Sequence, residues 1–231
     1  MTNSTSQNAT SRMDNRLYSP LVEKAFRVAA DAHRTQTRKA SDLPYFQHSA
    51  SVTLILARCG FEDDELFAAA ALHDTIEDTD CTVESLTAEF PEAVVKLVLE
   101  CSEAKTDASG AKIPWRVRKE AHIAVVAKAS PAARAIVLAD KLHNLGSMVF
   151  DLDRGEELWN RFNASPGDLI WYHREIVAAA AALPNTTVPE FSRRLARLAA
   201  EVTVLANKLA EAIPDQTQPK PELVASRRAQ D

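Results

Sequence analysis

Phe67-Ala68-Ala69-Ala70-Ala71-Leu72-His73-Asp74-Thr75-Ile76-Glu77-Asp78-Thr79 runs from six consecutive apolar residues straight into an imidazole and a carboxylate, and two further carboxylates follow within one helical turn. An apolar run of this kind belongs inside a globule. Polar groups at its end must then be paired or hold a cation, because uncompensated burial of charge is costly. Neutral imidazole with carboxylate suits Mn²⁺, Fe²⁺ or Zn²⁺. A His-Asp pair alone arises easily by chance, so its weight rests on partners elsewhere in the chain. Two stand out: His48 in Pro44-Tyr45-Phe46-Gln47-His48, and Asp140 in Leu138-Ala139-Asp140-Lys141-Leu142-His143-Asn144-Leu145, preceded by another apolar run.

Around these segments the pattern is helical. Ser19-Pro20, Ser130-Pro131 and Ser165-Pro166 each pair a serine N-cap with proline at the first helical position. Pro91 and Pro189 read as further helix starts, and Gly60 as a C-terminal stop. The spacing predicts helices over 20–36, 48–59, 63–77, 82–89, 91–102, 114–128, 131–147, 155–162, 166–182 and 189–212. Sustained period-two alternation is absent and five glycines punctuate the whole chain, so a sheet has little support. The expected architecture is all-α: a single helical bundle over 18–213, between an irregular polar tail (1–17) and a Pro-rich tail (214–231), both read as disordered.

Composition narrows the function classes. With 46% apolar and 26% charged residues the 231-residue chain can bury a full core. A net charge of −5 argues against a mainly electrostatic nucleic-acid binder. No apolar run approaches the length of a membrane span and the N-terminus lacks a secretory signal, so a cytoplasmic protein is expected. Three cysteines, none in C-x-x-C spacing, suggest reduced thiols rather than a disulfide framework. The sequence leaves a homo-oligomer open.

If His48 starts one helix, His73-Asp74 ends another and Asp140 lies midway along a third, four side chains from three helices converge on one ion. Each residue has a blander reading, as a hydrogen-bonded core histidine or a structural ion pair, but taken jointly the four favour a metal site. Glu77, four residues after His73, shares its helix face, and Glu77 and Asp78 are placed to orient or deprotonate water there. A solvated helix end is the alternative for both. Asn144, one turn after Asp140, can face the same cavity. Arg34, Arg38 and Lys39 form a basic stretch before Tyr45 and His48, suited either to phosphates or to a solvated turn. Lys105 and Lys112 with Arg116, Arg118 and Lys119 form a second basic cluster, and Tyr45, Trp115, Trp159, Trp171 and Tyr172 offer aromatic faces. His122 and His173 are assigned to solvated or packing faces, and His33 to a structural role. Metal, carboxylates and cations in one cleft point to phosphoester hydrolysis.

The ordered set Ala32-His33-Arg34…Arg38-Lys39…Pro44-Tyr45-x-x-His48, then Leu72 to Thr79, then Leu138 to Leu145 resembles the HD-domain hydrolases of the RelA/SpoT group, in particular the small stand-alone alarmone hydrolases, over residues 20–180. The resemblance implies an all-helical HD domain with Mn²⁺ on His48, His73, Asp74 and Asp140. It implies removal of pyrophosphate from the 3′ position of ppGpp or pppGpp, leaving GDP or GTP. It also implies Glu77 and Asp78 as catalytic carboxylates, and Arg38, Lys39, Tyr45, Asn144, Lys105 and Tyr172 as substrate contacts. The partner is then a small nucleotide, with neither nucleic acid nor membrane. Ser49 stands where the family usually has proline, and Gly146 where an arginine is frequent, which would remove a cation from the pocket side of that helix. The segment after Lys39 also departs from the pattern. An adenine alarmone or the 2′-phosphate of NADPH is therefore the alternative substrate, and a non-catalytic nucleotide-binding module the alternative class.

Overall fold

The computed structural model describes residues 17–39, 42–183 and 187–213. Apart from Leu17, the two expected tails lie outside the described residues. The elements are α1 (Pro20–Ala32), α2 (Phe46–Arg58), α3 (Asp64–Leu72), α4 (Thr75–Asp78), α5 (Val83–Glu89), α6 (Glu92–Cys101), α7 (Trp115–Val126), α8 (Pro131–Asp153), a 3₁₀ turn (Trp159–Arg161), α9 (Pro166–Ala181) and α10 (Pro189–Glu211). Among the described residues there is no strand, only isolated bridges between Thr37 and Pro44 and between Thr106 and Lys112. The fold is all-α, as expected.

The helix starts follow the local chemistry. The hydroxyls of Ser19, Ser130 and Ser165 accept the backbone N–H groups of Val22, Ala133 and Asp168, with Pro20, Pro131 and Pro166 opening the three helices. Asp63 caps α3 through the N–H of Leu66, placing negative charge where the helix dipole favours it. Gly60 follows the end of α2 at φ +95°, a conformation open to glycine and strained for other residues.

Helix α3 is the hub. Ala68, Ala69, Ala70, Ala71 and Leu72 are completely buried, and α1, α2, α6 and α8 all pack against it. Its run of small side chains lets those four helices approach closely. The long α8 packs on α2, α3 and α6, while α9 and α10 cover its other side.

Four expected elements differ. The helix expected over 63–77 is broken: α3 ends at Leu72, His73 and Asp74 form a turn, and α4 follows. Thr75 stabilises the break by donating its hydroxyl to the Leu72 carbonyl at 2.7 Å. Consecutive residues of an unbroken helix point about 100° apart, whereas this turn lets both side chains face one point. The helix expected over 155–162 contracts to the 3₁₀ turn at 159–161, and α8 runs on to Asp153, past its expected end. Helix α1 stops at Ala32, where the chain turns back through the Thr37–Pro44 bridge. None of the helices described is long and apolar enough to cross a membrane, and Cys59, Cys81 and Cys101 are all free.

Candidate metal and active site

The break after α3 brings His73 and Asp74 to His48 in the first turn of α2 and to Asp140 midway along α8. His48 Nε2 lies 3.3 Å from Asp74 Oδ2 and 3.2 Å from Asp140 Oδ1. His73 Nε2 lies 3.1 Å from Asp74 Oδ2 and 3.9 Å from Asp140 Oδ1. Ligand atoms of His48, His73 and Asp74 all fall within 4.8 Å of one another, with Asp140 closing the far side. Spacings of 3.1–3.3 Å are those of neighbouring ligands around an ion with bonds of about 2.1 Å.

Two observations show that these residues fit a divalent cation. His73 Nε2 is buried and has no hydrogen-bond partner, while its Nδ1 donates to the Ala70 carbonyl at 2.8 Å, fixing the tautomer whose Nε2 lone pair faces the carboxylates. The electrostatic field has the required sign. Burial alone would lower the His73 pKa, but Asp74 and then Asp140 raise it to about 9. Burial likewise opposes ionisation of Asp74 and Asp140, yet His73 and His48 beside the former, and Lys141 and His48 beside the latter, hold both well below the usual carboxylate range. A field that retains a proton in this way also attracts a metal ion.

Beyond these four residues a cleft of about 160 Å³ opens, lined among others by Tyr45, Glu77, Asp78, Glu103, Lys141 and Asn144. Glu77 accepts the backbone N–H of Glu103 at 3.2 Å. Burial, then the charge of Asp74, push its carboxyl above the ordinary value. The Lys105 ammonium pairs with Asp78 and lies 3.4 Å from Glu77, so it sits at the cleft mouth against both. Tyr45 donates its hydroxyl to Asp74 Oδ2 at 2.6 Å. Asn144 donates to Asp140 and accepts from Arg38 Nη2 at 2.8 Å, and the Arg38 guanidinium lies over the Tyr45 ring at 5.6 Å.

Other expected residues lie elsewhere. Lys39 is exposed, with its ammonium 5.4 Å from the Phe162 ring centroid. Arg34 pairs with Asp31 on the exposed end of α1. Tyr172 is only 3% exposed and its hydroxyl is 2.7 Å from His122 Nδ1, so it forms the wall behind Lys141 rather than the cleft surface. His122 and His173 are not solvated. Both are buried: His122 Nε2 faces the Cys101 carbonyl at 3.1 Å, and His173 Nδ1 faces that of Leu169 at 2.7 Å. His33 is buried, pairs with Gln36 and stacks on Tyr45, a structural role. A side chain at Gly146 would meet Leu205 of α10. Position 146 thus points its first side-chain atom toward α10. Ser49 is buried with an unpartnered hydroxyl.

Sequence reasoning passed over His143, whose Nδ1 is 2.7 Å from Nδ1 of His48, although its position three residues after Asp140 places it on the same side of α8. It also missed the internal ion pairs Lys141–Asp140 and Lys119–Glu103. Glu103 lies in the irregular stretch between α6 and α7, where no periodicity announces a buried side.

The HD-domain profile matches residues 25–157, more than half of the chain. The chain belongs to the HD-domain family. It is 39% identical over 119 residues to the guanosine-3′,5′-bis(diphosphate) 3′-pyrophosphohydrolase MESH1 of Mus musculus, covering 51% of this chain and 63% of that protein. It is 34% identical over 134 residues to the enzyme of the same name from Drosophila melanogaster, covering 57% and 72%. Among solved structures, one described as a metazoan ortholog of SpoT that hydrolyzes ppGpp and plays a role in starvation responses superposes with a TM-score of 0.63 at 27% identity, covering 79% of this chain and 96% of that one. The match thus spans just under two thirds of the mouse relative.

Proposed function

We propose that this chain is a Mn²⁺-dependent hydrolase of the 3′-pyrophosphate of (p)ppGpp, acting as one HD unit over 18–213 in the cytoplasm. The observation that carries the reading is the convergence of two histidine Nε2 atoms and two aspartates beside a second carboxylate pair, Glu77 and Asp78. The names of the similar proteins supply the substrate class.

His48, His73, Asp74 and Asp140 would hold the cation, which supplies a Lewis acid that polarises a phosphoryl oxygen and acidifies water. Glu77 and Asp78 take the proton of the attacking water. Burial and then the charge of Asp74 raise the pKa of Glu77, which makes it the stronger proton acceptor. Water attacks the phosphorus attached to the ribose 3′ oxygen, the P–O3′ bond breaks, the proton removed from water passes to the departing O3′, and pyrophosphate and the 3′-hydroxyl nucleotide leave. Lys105 leaves the carboxylates to meet the phosphates, Arg38 and Asn144 hold the nucleotide at the mouth, and Tyr45 keeps Asp74 aimed inward through its hydroxyl. Lys39 and Tyr172 contribute from the rim and from the wall behind the cleft.

The test is a nucleotide panel with Mn²⁺: ppGpp, pppGpp, the adenine counterpart and NADPH, read by the identity of the released phosphate. Pyrophosphate from the guanine substrates with the highest kcat/KM is the expected result. Orthophosphate from NADPH as the dominant product, or no turnover of any nucleotide at micromolar enzyme, would overturn it.

A further inference from the structure

The two histidines of the candidate metal site are held from behind in different ways. His73 Nδ1 is tied to a backbone carbonyl, that of Ala70. His48 Nδ1 instead meets a side chain, Nδ1 of His143, at 2.7 Å, with the two rings 4.8 Å apart and tilted by 49°. His48 is 1% exposed, so that nitrogen is shielded from bulk solvent. Two nitrogens at this distance share one proton. Only one of them carries it, and the other accepts through its lone pair.

We propose that His143 is the positioning residue of the metal site, acting as the hydrogen-bond acceptor that fixes the tautomer and ring orientation of His48. This inference rests on the metal reading above. If His48 offers its Nε2 lone pair to a cation beside Asp74 and Asp140, the proton of the neutral ring must sit on Nδ1, and His143 Nδ1 is the atom placed to accept it. His143 then carries its own proton on Nε2, the nitrogen that lies 3.4 Å from the Gln47 amide nitrogen on the exposed side. The amide can turn its oxygen to that proton. Helix α8 therefore supplies the site twice, with Asp140 as a ligand candidate and His143 one turn on as the support of the opposing ligand.

The pairing separates this role from simple packing. In His143→Asn the amide oxygen can occupy the place of Nδ1, so the acceptor is retained. In His143→Leu the volume is largely retained and the acceptor is lost. Titration of the metal-free full chain with Mn²⁺ alone, in competition with a chelator, should show affinity reduced about 10- to 100-fold in His143→Leu but nearly unchanged in His143→Asn. In wild-type protein loaded with diamagnetic Zn²⁺, nitrogen NMR should show scalar coupling through the hydrogen bond between His48 Nδ1 and His143 Nδ1, with the proton on His48. A wild-type chain that binds neither ion would overturn the metal reading and this inference with it. Tight binding by wild type that is equal in His143→Leu, or a proton residing on His143 Nδ1 in the Zn²⁺ form, would overturn the inference alone.

Discussion

Asp74 and Glu77 stand three residues apart and face the same cleft, yet their surroundings differ. Asp74 Oδ2 is within 3.3 Å of both histidine Nε2 atoms, whereas Glu77 meets the Glu103 N–H and the Lys105 ammonium. On the proposed function the two substitutions separate cleanly. Asp74→Ala should lose both bound Mn²⁺ and turnover. Glu77→Gln should keep its metal while kcat falls by about 10²- to 10⁴-fold, the range of general-base losses. Metal content and single-turnover rates measured on the same preparations check both. Parallel loss of metal in Glu77→Gln would place that carboxylate among the ligands instead.

At the scale of elements, the helix ends explain more than the helix interiors. Arg134, in the first turn of α8 and 4% exposed, donates to the carbonyls of Ala127 and Ala129 after α7 and to that of Ala182 after α9. One guanidinium thus satisfies the orphan carbonyls of two helix C-termini, which its planar fork can do and an ammonium cannot. Arg134→Met, similar in length but without donors, should cost on the order of 3 kcal/mol, since buried carbonyls lose charged partners. Arg134→Lys should fall between the two. Urea unfolding reads this as a lowered midpoint at unchanged m-value; a midpoint shifted by less than half a molar would show that the carbonyls find other partners. The break between α3 and α4 is an end of the same kind, and the candidate metal site is built on it.

For the whole molecule, acid is the expected weakness. His122 and His173 are buried, and burial, first of all, lowers the pKa of each to about 4. Each neutral ring uses its N–H inside the fold, and the unfolded chain binds protons at these positions from about pH 6.5 downward. The unfolded state therefore holds more protons between about pH 6.5 and 4, so stability falls as pH is lowered through that window and is unaffected above it. His173→Asn keeps a donor for the Leu169 carbonyl and removes the titration. Between pH 7 and pH 5 it should lose on the order of 2 kcal/mol less stability than wild type, measured by urea unfolding at the two pH values. Equal losses would mean that His173 does not titrate differently in the folded state.

Much of this protein is legible along the chain. The serine–proline starts, the period of the apolar residues and the scarcity of glycine prescribe an all-α fold, because caps and amphipathic periodicity are local properties of consecutive residues. His73, Asp74 and Asp140 could be picked out for a similar reason, since charged or imidazole groups after long apolar runs are expensive unless something compensates them, and His48 stood out as the partner such a set needs. Tertiary structure decided the rest. The break at His73-Asp74 follows the completely buried end of α3, a helix packed against α1, α2, α6 and α8, and its burial is set by helices far away in sequence. The partnership of His143 with His48 spans 95 residues, and Arg134 reaches 48 residues to Ala182. The burial of His122, His173 and Glu103 likewise depends on what packs over them. A hydrogen bond between distant residues leaves no periodicity in the chain; it exists only once the packing of apolar faces has fixed where the helices lie.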